Sequence, residues 1–161
     1  MNCAMSSRVT NIVVAGLGGQ GVLKASDIVA EVAFRAGLDV KKSEIHGMSQ
    51  RGGSVTSDVR FGERVFSPMV PRGEADFLVV LSSDQVEVNR AVLKPGGVLI
   101  DPASVDESKL RNRKSLNVAL LGRLSRYLEF SEEAWRTALL ANLPEKLHAA
   151  NLEAFESGRR G

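Results

Sequence analysis

The stretch "NIVVAGLGGQGVLKASDIVAEVAFRAG", residues 11–37, constrains the fold of this chain more than any other. "NIVVAG" is a short apolar run ending in glycine, the pattern of a strand covered on both faces. After the glycines, Val22, Ala25, Ile28, Val29, Val32 and Ala33 recur at helical spacing, and Gly37 stands where a helix stops. "LDVKKSE" at 38–44 reads as a second strand, which completes one βαβ unit. Such a unit commits a chain to an open α/β sheet.

The rest of the chain is consistent with that start. "SVTSDVRFGERVFSP" at 54–68 alternates around a "GE" turn and predicts a hairpin or two adjacent strands. "ADFLVVLSS" at 75–83 is another buried strand, "DQVEVNRAVLK" at 84–94 a helix stopped by "PGG", and "VLID" at 98–101 a last central strand. "DESKLRNRKS" at 106–115 is a polar connector. Helical patterns follow in "LNVALLGRLSRYL", in "SEEAWRTALLANL" with Ser131 as its cap, and in "PEKLHAANLEAFESG" with Pro144 in its first turn. The expectation is a single domain over 1–161. It would have a disordered tail at 1–9, a Rossmann-like open and mostly parallel sheet with a hairpin-like insertion, and a helical C-terminal third over 115–158.

Composition excludes several functions. Lys+Arg 21 against Asp+Glu 19 gives a net charge of +2, without the basic excess of a nucleic-acid binder. "RNRK" at 111–114 and "GRR" at 158–160 read as a solvated loop and a frayed tail. The one cysteine, Cys3, forms no internal disulfide and cannot supply a thiolate cage for a metal or an iron–sulfur cluster. No apolar run reaches membrane-spanning length and the start has no apolar signal core, so the expected location is cytoplasmic.

Two glycine-rich loops carry the candidate site. Gly16, Gly18 and Gly21 match G-x-G-x-x-G between a predicted strand and a predicted helix. In that setting the loop and the helix N-terminus suit a phosphate. Gly19 adds exposed backbone and Gln20 an amide. "EIHGMSQRGGSV" at 44–55 is the second loop. Ser49, Gln50 and Arg51 supply a hydroxyl, an amide and a guanidinium, and Gly52 and Gly53 expose backbone N–H groups. It follows the second strand as the first loop follows the first, so both fall on one sheet edge and suit a shared anionic ligand. A nicotinamide dinucleotide would want an acidic residue about 20 positions past the first loop. Glu44 is near that place, but Lys41 and Lys42 precede it and a glycine loop follows at once. His46 reads as a hydrogen-bonded structural residue, with general base as the alternative, and no catalytic dyad is visible.

"GLGGQGVLKASDIVAEVAFRAG", "SEIHGMSQRGGSVTSDVRFG" and "VFSPMVPRGEAD" together strongly resemble the small, gamma-type subunit of the 2-oxoacid:ferredoxin oxidoreductases, the indolepyruvate-oxidising branch above all. The resemblance runs over about residues 10–102 and returns in "LNVALLG" and "LPEKLHAANLEAFESG". It implies a subunit of an enzyme that oxidises arylpyruvates to acyl-CoA and CO2 and passes electrons to ferredoxin. Thiamine diphosphate and [4Fe–4S] clusters would sit in a large alpha-type partner, and no metal in this chain. The gamma-type domain would face coenzyme A, which by position implies Gly16, Gly18, Gly19, Gln20, Gly21, Ser49, Gln50, Arg51, Gly52 and Gly53 as the ligand-facing set. Between Pro102 and Leu116 the chain departs from the family pattern: the connector is short and a strand is expected to be missing. The other readings are a stand-alone nucleotide-binding module and a regulatory paralogue.

The C-terminal third has two readings as well. Leu116, Ala119, Leu120 and Leu124 share one helical face, and Trp135, Leu139 and Leu143 roughly another. Packing back on the sheet is preferred. A partner-facing surface anchored by Tyr127, Phe130 and Trp135 is the alternative.

Overall fold

The computed structural model describes residues 8–46 and 53–161. Of the tail expected over 1–9, residues 1–7 fall outside that range, and Val9 already belongs to the first strand.

Five strands form one sheet: β1 (Val9–Leu17), β2 (Asp39–His46), β3 (Ser54–Gly62), β4 (Ala75–Val80) and β5 (Leu93–Ile100), in the order β2-β3-β1-β4-β5. β1, β4 and β5 are parallel, and β3 runs antiparallel to both β1 and β2. Four strands therefore point one way and β3 the other. The expected open, mostly parallel sheet is present. The expected hairpin differs in its arms. Residues 54–62 make a single strand, and its partner is β2, paired from Asp39↔Gly62 to His46↔Val55. Val65 does not continue a ladder. It is buried, and its N–H donates to Asp39 Oδ2 at 2.8 Å.

The first helix, α1 (Val22–Arg35), buries Val22, Ala25, Ser26, Ile28, Val29, Val32 and Ala33 against the sheet, the stripe its periodicity predicts. Residues 83–92 do not form one continuous helix. A short α2 (Val86–Asn89) lies between two 3₁₀ turns, and the expected "PGG" stop is part of β5. Pro95 is tolerated there because β5 is an edge strand, whose outward N–H groups need no partner. Residues 102–115 form three 3₁₀ turns, and among the described residues no strand lies beyond β5. α3 (Leu116–Ser125), α4 (Glu132–Asn142) and α5 (His148–Arg160) complete the chain, with the Ser131 hydroxyl accepting from Ala134 N at 3.0 Å as the N-cap of α4.

The two faces of the sheet differ. Ile12, Val14, Val59, Phe61, Val79 and Ile100 join α1, α3, α4 and α5 in the main core. Trp135 is fully buried there, with ring centroids 6.4 Å from Phe130 and 5.6 Å from Phe155. The C-terminal helices thus pack back on the sheet. Of the three residues that could anchor a partner, Trp135 is core, Phe130 is half-buried against that core and Tyr127 is largely exposed. The opposite face buries Val13, Ala15, Leu78 and Val80 under α2 and the segment 63–74. Polar residues of the sheet hold that segment: Asp58 accepts from Val70 N at 2.8 Å, and Arg60 donates to Ser67 O at 2.7 Å. Burial, opposed by the Val70 N–H bond, raises the pKa of Asp58. Phe66, 86% exposed, Met69 and Val88 are large apolar groups left open to solvent on these segments.

Candidate functional site

The first glycine loop turns β1 into α1 by a local exchange. Gln20 N donates to Leu17 O at 3.1 Å, and Gln20 Oε1 accepts from Leu17 N at 2.7 Å. The amide oxygen of Gln20 is therefore committed to the loop, and only its NH2 group can serve a ligand. Gly16 pairs with Val55 inside the sheet and is buried. Gly18 N donates to Gly53 O at 2.8 Å, which ties the first loop to the return from the second.

Gly21 caps α1 in the left-handed region, φ 87°, with no side-chain cap and no acidic residue in the first turn. The first-turn N–H groups and the positive end of the helix dipole thus meet no anion from the chain's own first turn. Asn117, at the start of α3, donates Nδ2 to Gly21 O at 3.2 Å. A Cβ at position 21 would lie 2.5 Å from that nitrogen. Gly21→Ala is therefore expected to lose about 1–2 kcal/mol from the left-handed backbone alone, and to displace Asn117. A fall in the urea midpoint together with loss of the Asn117 amide contact by NMR checks it; an unchanged midpoint refutes it.

Beside this loop is a cleft of about 310 Å³. Gly19, Gln20 and Gly21 form one wall, Arg113, Lys114 and Asn117 the other, with Leu81 and Leu116 completing it. The lining holds no carboxylate, imidazole or thiol. Such a cleft can bind an anion, and the charged side chains of its lining, Arg113 and Lys114, are both cationic. In sequence Arg113 and Lys114 belong to a polar connector, where charge carries no local signal of what it will face. A larger hollow of about 630 Å³, floored by Phe61, Phe77 and Phe130, opens near Gly96 and the start of β1, away from both loops.

Of the second loop, Ser49, Gln50, Arg51 and Gly52 lie outside the described residues, as does the side chain of His46. Its stems are placed: His46 pairs with Val55, and Gly53 meets Gly18, so the loop leaves and re-enters at the edge that holds the first loop.

The geometry disfavours a dinucleotide. β3 separates β2 from β1, so Glu44 lies two strand spacings away, about 10 Å, rather than one. Glu44 is also paired with Lys42 Nζ at 3.0 Å, and Lys42 pairs with Asp27 too. Burial works against the Lys42 charge, but its bonds to these two carboxylates outweigh burial and hold its pKa above the ordinary value. Among the described residues, no group of His, Cys, Asp and Glu is placed to hold a metal ion, and no helix is long and apolar enough to cross a membrane.

Fold and cleft together define a class: an α/β domain with a basic cleft, free of carboxylates in its lining, at the carboxyl ends of its strands, where open α/β sheets bind ligands. The chain belongs to the pyruvate ferredoxin/flavodoxin oxidoreductase family, whose profile matches residues 11–108. It is 37% identical to the indolepyruvate oxidoreductase subunit IorB of Thermococcus kodakarensis, over 92% of this chain and 93% of that one. That alignment spans 190 positions against 161 residues here, so the relative carries insertions this chain lacks. The gamma subunit of a keto/oxoacid ferredoxin oxidoreductase from Geobacter sulfurreducens superposes with a TM-score of 0.80 at 25% identity, over 96% of each chain. The 2-oxoglutarate:ferredoxin oxidoreductase of Magnetococcus marinus, solved with 2-oxoglutarate, coenzyme A and succinyl-CoA bound, shares the fold with a TM-score of 0.76 at 24% identity. This chain covers 31% of that one, and 96% of this chain is matched. The chain is accordingly a subunit of a 2-oxoacid:ferredoxin oxidoreductase.

Proposed function

We propose that this chain is the non-cluster subunit of a thiamine-dependent arylpyruvate:ferredoxin oxidoreductase in the cytoplasm, and that it supplies the coenzyme A-facing wall of a shared active site. The overall reaction joins a 2-oxoacid and coenzyme A to give acyl-CoA and CO2, with two electrons passed to ferredoxin. Thiamine diphosphate and [4Fe–4S] clusters, held by a larger alpha-type partner, supply decarboxylation and electron transfer. This chain has one cysteine and cannot ligate such a cluster alone.

The observation that carries the reading is the cleft, with its uncapped helix start and two basic residues and no carboxylate. Coenzyme A carries a pyrophosphate and a ribose phosphate, which suit N–H groups and guanidinium donors. In this reading Gly19, Gly21 and the NH2 of Gln20 receive one phosphate region, while Gly18, whose N–H is bonded to Gly53 O, ties the two loops together. In the same reading Ser49, Gln50, Arg51, Gly52 and Gly53 complete the ligand-facing set. Gly16 lets the turn pack and does not touch the ligand. The fold relative solved with coenzyme A bound supports coenzyme A as the ligand class.

The test uses the complex purified with its partner. Arg51→Ala is expected to raise KM for coenzyme A about tenfold or more, the loss of one charge-assisted contact, with folding unchanged by circular dichroism. An unchanged KM removes the second loop from the ligand site. Turnover of a 2-oxoacid by this chain alone overturns the subunit reading, and tight binding of NAD or NADP without coenzyme A restores the stand-alone nucleotide module.

A further inference from the structure

The chemistry of the cleft's second wall says what it selects, given the coenzyme A reading above. Arg113 and Lys114 come from the stretch that reads as a connector, and the fold returns it to the carboxyl edge of the sheet. The 3₁₀ turn Arg113–Ser115 runs straight into α3, so both side chains line the cleft opposite Gly19, Gln20 and Gly21. Neither makes an ion pair with a described residue, whereas Arg111, two residues before, is paired with Glu153. Two positive charges thus face a loop and a helix start with no negative group in the lining between them.

The wall is held in place from behind. Asn112 Oδ1 accepts from Lys114 N at 2.9 Å. Ser115 is buried. Asn117, 7% exposed, bonds Gly21 O through Nδ2 and accepts from Val118 N through Oδ1 at 2.9 Å. Both of its polar ends are used inside the protein, so it braces the loop and leaves ligand binding to Arg113 and Lys114. The volume, about 310 Å³, is at the small end for a ligand pocket. It suits the phosphate-bearing part of a carrier.

We propose that Arg113 and Lys114 are the specificity-determining residues of this subunit, which make the complex prefer a phosphorylated acyl acceptor over an unphosphorylated thiol. They read adjacent phosphate groups, and the thiol end of the acceptor does not touch them.

The test is the double variant Arg113→Ala, Lys114→Ala, with Arg113→Lys as the conservative companion. In the complex, the ratio of kcat/KM for coenzyme A to that for pantetheine is expected to fall about tenfold in the double variant, through KM for coenzyme A. Arg113→Lys should keep most of the preference. Calorimetry on the full chain with inorganic pyrophosphate gives the second readout: binding that weakens with added salt in the natural chain, and is at least tenfold weaker in the double variant. Both side chains are exposed, so the melting temperature should be unchanged and a folding defect is separable. If Arg51→Ala raises KM while the double variant keeps the coenzyme A preference, this inference is wrong and the coenzyme A reading stands. If the natural complex does not use coenzyme A but pyrophosphate binding still depends on Arg113 and Lys114, the anion wall stands and the coenzyme A reading fails.

Discussion

Replacing Gly158 by alanine is expected to remove a large part of this domain's stability, although helix propensity alone predicts a gain of about 1 kcal/mol. Gly158 lies in α5 where it crosses α3, and a Cβ there would sit 1.8 Å from the carbonyl oxygen of Ala119. The reciprocal contact is as close: a Cβ on Gly122 would meet Phe155 O at 2.1 Å. Both obstacles are backbone, so no rotamer change relieves them. The helices must separate, and the core between them loses contact. Overpacking of this kind costs about 3 kcal/mol or more, against a total of about 5–15 kcal/mol for a typical domain. Urea denaturation followed by circular dichroism measures it for Gly158→Ala and Gly122→Ala. A rise in midpoint for either would mean that the helices do not touch.

Trp135→Ala should be comparably damaging, at about 3–5 kcal/mol. The indole is 0% exposed and lies between Phe130 and Phe155, so truncation opens a cavity that rigid neighbours cannot fill. Trp135→Phe is the informative companion. The indole Nε1 has no acceptor among the described residues, a defect worth about 1–3 kcal/mol when a buried donor stays unpaired. Phenylalanine gives up volume but removes that donor, so its cost should be well below half that of alanine. Equal costs for the two variants, from denaturant midpoints, would show that the indole N–H is satisfied in solution.

The parts of the fold that were legible had strong local signals. The run 11–37 combines an apolar strand, obligatory glycines and a 3.6-residue stripe, and all three act within the same short stretch. β3 was legible as a strand but its partner was not. Val65 and Phe66 after "GE" imitate a second arm, while the true arm, β2, lies before the loop at 47–52. Alternation reports which face a residue takes, and it does not report which strand sits alongside. The region 83–92 spaces its apolar residues like a helix, yet the chain is pulled into β5 early because β4 offers a parallel partner from Ala75↔Leu93. Arg113 and Lys114 illustrate the limit for the site. Their place opposite Gly21 is created by α3 docking, a contact between residues 96 positions apart, and no pattern within the connector encodes it. For Ser49, Gln50, Arg51 and Gly52, the sequence remains the source of the assignment.

The α3 segment also bears on how this chain can change length. From Arg113 to Gly122, ten consecutive residues carry a cleft wall, a brace on Gly21 and a backbone-to-backbone crossing with α5. An inserted or deleted residue inside that block would rotate everything after it by about 100°, which would turn either Asn117 or Gly122 away from its partner. Insertions like those of its longer relative are therefore admissible before Arg113 or after α3 ends at Ser125, and not between them. Within this block, binding and folding drift together, and a lineage that loses one should be found to have lost the other.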